Sequence, residues 1–461
     1  MKIIVSAGGR FHAINLAGHL AQRGHLEKLF TFSASRQDHA LIPKKKIARI
    51  WQGSFLDTMF QRLRLGRVVD KTMFNFYKDT LFDYCVARQL DSFAGMTGEF
   101  DIFVVWANYG LRSIPVARKR GALVIVESGS AHIKEQYELL THEYKKYGLS
   151  THPVDQRTIK RVTQEYELAD YITVPSTFVF NSFIKHGIPA EKLLTVPCGM
   201  NLAPFLASAR ILRQAQDERE LLSVHGEPVE PHERFRVIFV GLLCLRKGIH
   251  YLIDAWNNLD LPEDSSELVL VGHLQADLAH VLKRKKLKKN IIFYGSTDQA
   301  TLKNLYAESS VFVLPSIEDG FGMVMGEAMA SGLPVICTTH TAAHDLVSEG
   351  KTGFVIPPGD AGALADKLRW CYEHQDESAQ MGHKGRQAIQ EHAHTRYSDT
   401  ITQLYQELLA HRLSFVGPYG SRRHSKAPFV ARSEQREHLE SMNDEKCLLT
   451  TNEPNDRETR P

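Results

Sequence analysis

Two short stretches hold the residues best suited to chemistry. "PSIEDGFGMVMGEAMASG", from Pro315 to Gly332, sets Glu318 and Asp319 against a Gly-Phe-Gly turn and then Glu327 among methionines and alanines. A carboxylate in an apolar helix is costly unless a partner or a ligand meets it. "VGLLCLRKG", residues 240–248, places Arg246 and Lys247 just ahead of Gly248, where a helix is expected to begin. Cations beside the free amides of a helix N-terminus suit a diphosphate. A carboxylate, which accepts two hydrogen bonds at once, suits the paired hydroxyls of a ribose. Each feature alone has a plain structural reading: Arg246 and Lys247 as solvated loop cations, Glu327 as a cap or ion-pair partner. Neither the P-loop pattern nor the dinucleotide glycine fingerprint is present, so ATPase and NAD readings lack their motifs.

The elements that must hold these residues are strands alternating with helices. "KIIVSAGG" (2–9), "DIFVVW" (101–106), "ALVIVE" (122–127) and "YITVPS" (171–176) are apolar runs bounded by turn residues. "RVIFVG" (236–241), "ELVLVG" (267–272), "NIIFYG" (290–295), "VFVLPS" (311–316) and "LPVICT" (333–338) repeat the pattern. Such runs, separated by helical segments such as "GIHYLIDAWNNL" (248–259), predict buried parallel strands in two doubly wound α/β domains. Ligands of such sheets sit at the carboxyl ends of the strands, where the strand order reverses. The loop after the first strand, "SAGGRFH" (6–12), is therefore expected to line a cleft through Gly8, Gly9 and Arg10, with a turn of no further function as the alternative.

Composition limits the partners. The chain has 461 residues, enough for two domains, and a formal net charge of +3, too small to suggest nucleic acid. Its basic clusters are local, "PKKKIAR" (43–49) and "KRKKLKK" (283–289). The second suits the C-terminal end of a helix, and both remain open to phosphate or lipid headgroups. The 6 cysteines are scattered without metal-ligand spacing, which predicts reduced thiols in a cytosolic setting and no metal site. No leader-like N-terminus and no run of ~20 apolar residues stands out. "ARILRQAQDERELLSVHGEPVEPHERF" (209–235) and the tail from Ser414 are polar, and a flexible insertion and an unpacked tail are expected there.

The acid, the Gly-Phe-Gly and the glutamate before Ala-Met-Ala resemble the acidic signature of family 4 glycosyltransferases, retaining enzymes of "group 1" type with the GT-B fold. The registered pair is Asp319 and Glu327, with Asp in place of the usual Glu and Glu318 as a bystander. "VGLLCLRKGIHYLIDAW" is similar to the family's diphosphate loop, with Lys247 at its lysine. Leu242 replaces the arginine that often follows the glycine, and Arg246 is the expected substitute. "ELADYITVPSTFVFNSFIKHGIPAEKLLTVPCGMNLAPF" (167–205) and "TAAHDLVSEGKTGFVIPPGDAGALADKL" (341–368) extend the resemblance to about residues 1–205 and 236–412, although Asn201 stands where Asp is common.

The resemblance implies that Asp319 faces the donor sugar, that Glu327 holds the ribose, and that Arg246 and Lys247 neutralise the diphosphate. Gly241, Gly320, Phe321 and Gly322 would shape the donor site. Many relatives carry a histidine directly after a central strand; here Glu127 occupies that place and His132 follows five residues later. His132 is therefore the candidate catalytic contact to the sugar, with a surface helix histidine as the alternative, and Glu127 joins the acceptor side. The implied architecture is GT-B, two facing Rossmann-like domains with an interdomain cleft. The segments are 1–205 (acceptor side), 206–235 (linker), 236–385 (nucleotide-sugar side), 386–413 (helices crossing back) and 414–461 (tail).

The implied function is retaining hexosyl transfer from a nucleotide-sugar to a hydroxyl acceptor in glycan, lipid-linked glycan or polysaccharide biosynthesis. No cofactor or divalent metal and no nucleic acid partner are expected. The setting is cytoplasmic, with peripheral contact at the inner face of the membrane left open. A sugar-nucleotide epimerase of the same fold and a non-catalytic partner subunit are the alternatives.

Overall fold

The computed structural model describes residues 1–9, 12–63, 70–92, 100–149, 154–207, 234–390 and 394–414. The expected insertion and tail lie almost wholly outside the described residues, and Arg10 lies outside them too.

The first domain is built on β1 (Ile3–Ser6), β2 (Leu26–Thr31), β3 (Ile47–Arg49), β4 (Ile102–Trp106), β5 (Leu123–Glu127), β6 (Tyr171–Val174) and β7 (Leu193–Thr195). Their order across the sheet is β3-β2-β1-β4-β5-β6-β7 and every pairing is parallel. The second uses β8 (Phe235–Val240), β9 (Ser266–Val271), β10 (Ile291–Gly295), β11 (Val311–Leu314), β12 (Val335–Thr338) and β13 (Gly353–Ile356), ordered β10-β9-β8-β11-β12-β13 and again parallel. Each sheet therefore reverses its order beside its first strand, between β1 and β4 and between β8 and β11. The crevices that bind ligands open at those points.

Continuous apolar strands form because both faces of each sheet are covered. In the first domain Ile3, Val5, Ile102 and Val104 pack on one face, while Ile4, Phe103, Val105 and Val124 pack on the other. The expected buried strand "NIIFYG" is a finding of a different kind. β10 is an edge strand with Ile292, Phe293 and Tyr294 exposed, because no strand lies beyond it.

The chain also crosses between the domains earlier than residue 205. Cys198, Met200, Leu202 and Phe205 are buried in the second domain's core, and full burial of a side chain like Phe205 is worth roughly 1.5–3 kcal/mol. It then crosses back. The helix His394–Ser414 sets Tyr397, Ile401, Leu404, Tyr405 and Leu408 into the first domain's core beside Ile3, Val5 and Leu16, and Asp399 pairs with Arg23.

Candidate functional site

The loops at the carboxyl ends of both sheets enclose a cavity of about 570 Å³. The second domain contributes Gly241, Lys247, Asp319, Phe321 and Gly322; the first contributes His12, Trp106, Asn108, Tyr109, Glu127 and the loop Ser128–Ala131. Gly241 follows β8, and Lys247 ends the short turn that leads into the helix Ile249–Asn258. Gly248 makes that turn possible, with φ at +68° and an added Cβ only 1.8 Å from the Pro315 carbonyl. Any larger residue would push the lysine loop away from the strand that carries the acids.

Four neighbouring charges of the second domain form two pairs. Lys247 Nζ donates to Asp319 Oδ2, and Arg246 donates to Glu318 Oε2 at 3.1 Å and to the Glu318 carbonyl at 2.9 Å. Burial alone would push the Asp319 carboxyl up, but Lys247 and Arg246 outweigh it and hold the group below the usual carboxylate range. Burial would lower Arg246; Glu318 and Asp319 outweigh that and keep it firmly protonated.

Glu318 is no bystander. Its side chain is fully buried, and besides Arg246 it accepts from the Ala131 N–H at 3.0 Å and from Gln136 Nε2 at 2.9 Å, both in the first domain. It ties the acidic loop across the cleft. Gly320 lies in the same joint, where an added Cβ would stand 1.9 Å from the Gly129 carbonyl, and its own carbonyl accepts from Ser176 Oγ at 2.6 Å. Asp345 accepts from Thr177 Oγ1 at 2.6 Å, and Tyr144 donates to Asp277 at 2.6 Å, so the domains are hydrogen-bonded together on several sides of the cavity. Arg246, expected at the diphosphate, is absent from the cavity lining because Glu318 holds its guanidinium.

Glu327 stands on the helix Met323–Ala330, one turn beyond the lining residues Met323 and Val324. Burial pushes its carboxyl up to about 7, against the modest lowering from the Tyr306 hydroxyl 3.4 Å away. No cation among the described residues forms an ion pair with it within 4 Å. Its position fits a group that waits for a ligand, but it lies outside the cavity lining.

On the first domain's side three expectations change. His132 is neither on the surface nor in the cavity: it is buried, stacked on His186 with ring centroids 4.6 Å apart and edge-on to Phe183. Its Nδ1 accepts from the Lys134 N–H and so caps the helix Ile133–Lys146; burial, then the neighbouring His186, pull its pKa down to about 3. Gly8 and Gly9 do not line the cavity either. Gly8 is buried beneath Tyr109, whose ring an added Cβ would meet at 2.2 Å. Tyr109 takes its place in the lining.

Glu127 does line the cavity, and beside it stands a residue the sequence reading missed. His12 stands at the N-cap position of the helix Ala13–Gln22 without a side-chain capping bond; its Nε2 lies 3.7 Å from Glu127 Oε2 and its ring packs on Trp106 at 5.0 Å. The signal was present in "SAGGRFH", whose last residue must come near the carboxyl edge of β1. A second missed feature is Asn108, which has φ at +84° and lines the cavity. The buried Glu165 carboxyl, raised to about 8 by burial, accepts from the N–H groups of Asn108, Gly110 and Leu111 and holds this loop in place. Residues so far apart in sequence gave no local pattern to read.

Comparison with known proteins follows the same division. The family "Glycosyltransferase Family 4" matches residues 7–204, and "Glycosyl transferases group 1" matches residues 224–388. The chain is 29% identical over 163 residues to the capsular polysaccharide biosynthesis glycosyltransferase CapM of Staphylococcus aureus, covering 34% of this chain and 42% of that protein. It is 29% identical over 231 residues to the sulfoquinovosyl transferase of Arabidopsis thaliana, covering 49% and 42%. It is 30% identical over 195 residues to the D-rhamnosyltransferase WbpZ of Pseudomonas aeruginosa, covering 39% and 50%. The matched region thus spans half or less of these curated relatives. Among solved structures, sucrose-phosphate synthase of Thermosynechococcus elongatus superposes with a TM-score of 0.63 at 19% identity, over 89% of this chain and 100% of that one. HepE of Anabaena, in complex with UDP and glucose, gives 0.60 at 18% over 88% and 100%. At these identities the structural likeness speaks for the fold.

Proposed function

The chain belongs to the group 1 glycosyltransferases of family 4 and has their GT-B fold; from that premise we propose that it is a retaining glycosyltransferase that moves a hexose from a nucleotide-sugar to a hydroxyl acceptor in polysaccharide or lipid-linked glycan synthesis. The observation that carries the reading is the meeting of Lys247 and Asp319, from two loops of the second domain, on the wall of a cavity closed by the first.

In this reading Lys247 turns from Asp319 to the donor diphosphate, beside the amides at the start of the helices Ile249–Asn258 and Met323–Ala330. Positive charge held ready for a departing phosphate stabilises the transition state where negative charge grows. The bond from the anomeric carbon to the phosphate oxygen breaks as the acceptor oxygen bonds to the same face. The acceptor's proton passes to the leaving phosphate. A lysine and two helix termini supply the positive potential, so no divalent ion is invoked. Glu327 takes the ribose hydroxyls.

The test is turnover with a panel of UDP-, GDP- and ADP-sugars, with and without hydroxyl acceptors. Release of nucleoside diphosphate that depends on an acceptor, lost in Lys247→Ala and Glu327→Ala, supports the reading. Full activity in both variants would sink the site assignment. Change of the sugar without an acceptor would indicate an epimerase.

We also infer a peripheral membrane contact on the first domain. Trp51, Phe55, Met59 and Leu63 are 61%, 58%, 36% and 61% exposed, and their four-residue spacing puts them on one face of the segment that begins where β3 ends. Lys44, Lys45, Arg49 and Arg62 are exposed around them, which suits an anionic headgroup surface. Flotation with anionic vesicles should be lost in the double variant Trp51→Glu, Phe55→Glu. No flotation of the wild-type chain would dispose of the contact.

A further inference from the structure

The cavity floor carries buried polar atoms that make no hydrogen bond of ordinary geometry among the described residues. Trp106 and Glu127 are register partners at the ends of β4 and β5, so their side chains leave the sheet on one face. Trp106 Nε1 and Glu127 Oε1 are both buried and neither makes a hydrogen bond; the hydroxyl of Tyr405, on the returning helix behind them, is in the same condition. Glu127 is only 6% exposed; His12 Nε2 stands 3.7 Å from its Oε2, beyond hydrogen-bond length, and the Tyr405 hydroxyl is close enough to act on the carboxyl without a hydrogen bond of ordinary geometry. Unmade hydrogen bonds at buried groups are costly, and a native structure that keeps several together at a cavity is shaped for something that makes them.

We propose that Glu127, steadied by His12, selects a neutral, hydroxyl-bearing sugar as the group transferred and rejects an anionic one. The inference rests on the nucleotide-sugar reading and deepens it. A carboxylate only accepts and an indole N–H only donates; a hydroxyl does both and can satisfy Glu127 and Trp106 together. A uronate or sulfonate on the sugar offers Glu127 no proton. It also brings a like charge between Glu127 and Asp319. Among the described lining residues the Lys or Arg cation is Lys247, and in the nucleotide-sugar reading the diphosphate engages it. Both carboxylates lie near Cys198 on the floor, where each helps to push that buried thiol up, so they bound the same space.

Calorimetric titration separates this subsite from the nucleotide site. The probes are UDP, GDP and ADP, then the neutral hexose and the hexuronate derivative of whichever binds. In the wild-type chain the neutral derivative should bind more tightly than the hexuronate by about 100-fold. Glu127→Gln should cut that ratio by about tenfold or more, with affinity for the bare nucleotide diphosphate unchanged and thermal stability unchanged or raised. His12→Asn should reduce the ratio by about threefold, which keeps the idea testable should the glutamine variant fold poorly. Equal binding of the two derivatives by the wild-type chain would overturn the subsite while leaving the nucleotide site standing. So would a ratio that survives both substitutions. A wild-type chain that binds none of the nucleotides would overturn the donor reading and the subsite together.

Discussion

The two walls of the cavity solve the problem of buried charge in opposite ways. On the second domain's wall Lys247 holds Asp319, and outside the lining Arg246 holds Glu318. On the first domain's wall Glu127 Oε1 and Trp106 Nε1 make no hydrogen bond of ordinary geometry among the described residues. A wall whose charges are mutually paired holds them in place before any ligand arrives, and in the proposed reading Lys247 then exchanges Asp319 for the diphosphate. A wall of unpaired groups gains its partners only from what enters. The first property suits a diphosphate, the same in every donor; the second suits a sugar, where discrimination is needed.

The sharpest way to break that comparison is to separate Asp319, which lines the cavity, from its neighbour Glu318, which does not. Asp319→Asn should lower kcat/KM by about 10³-fold, since it removes the charge that positions Lys247 and that, in the proposed reading, faces the transferred group. Glu318→Ala should act mainly on stability. It takes the side-chain acceptor from Ala131 N–H and leaves the Arg246 cation only the residue-318 carbonyl, at a cost of roughly 3 kcal/mol in urea denaturation. Should Glu318→Ala abolish turnover at unchanged stability, the roles assigned to the two acids are reversed.

Glu327 offers a smaller, pH-dependent effect. Its carboxyl, raised to about 7 by burial, is protonated in much of the free protein below that pH. A raised carboxyl favours the protonated folded state. Its contribution to stability is therefore full below the unfolded value of about 4.5 and is lost as pH climbs through about 7. Ribose hydroxyls need the ionised acceptor. Nucleotide affinity should rise up to about tenfold per pH unit below 7 and level off above it. Titrating UDP or GDP between pH 5.5 and 8.5 checks this, and Glu327→Gln should flatten the profile. A wild-type profile that is already flat would remove Glu327 from the ribose site.

What could be read from the sequence follows the same line between the walls. Asp319, Phe321 and Gly322 of that wall, with Gly320 and Glu327 outside the lining, lie within nine consecutive residues of one strand-loop-helix turn, and Lys247 comes from the equivalent turn after β8. Such turns leave local patterns. The opposite wall draws Trp106 and Glu127 from two strand ends and His12 from the start of a helix, backed by Tyr405 from a helix that has crossed back from the other domain. Only the sheet order brings them together, and sheet order has no local signature. The alternation of strands and helices was legible because both faces of each sheet are covered. The edge position of β10 was not, since its residues are as apolar as those of a central strand.

His132 gives the smallest expected effect and tests the unpaired wall by exclusion. It sits five residues from Glu127, yet its ring packs among Tyr166, Phe183 and His186, inside the first domain. With a pKa of about 3 it stays neutral throughout the range in which the enzyme would be assayed, and its Nδ1 serves the Lys134 N–H. A histidine lowered in this way supports folding above its unfolded value of about 6.5 and loses that support as pH falls toward 3. His132→Asn, which retains a capping side chain, should leave kcat within about twofold, because the residue touches no part of the cavity. It should also flatten the loss of stability between pH 6 and 4, an effect a surface histidine could not produce. If instead kcat collapses while the acid limb of the stability curve stays as it was, the reacting sugar reaches farther into the first domain than this cavity does, and Glu127 loses its place as the residue that meets it.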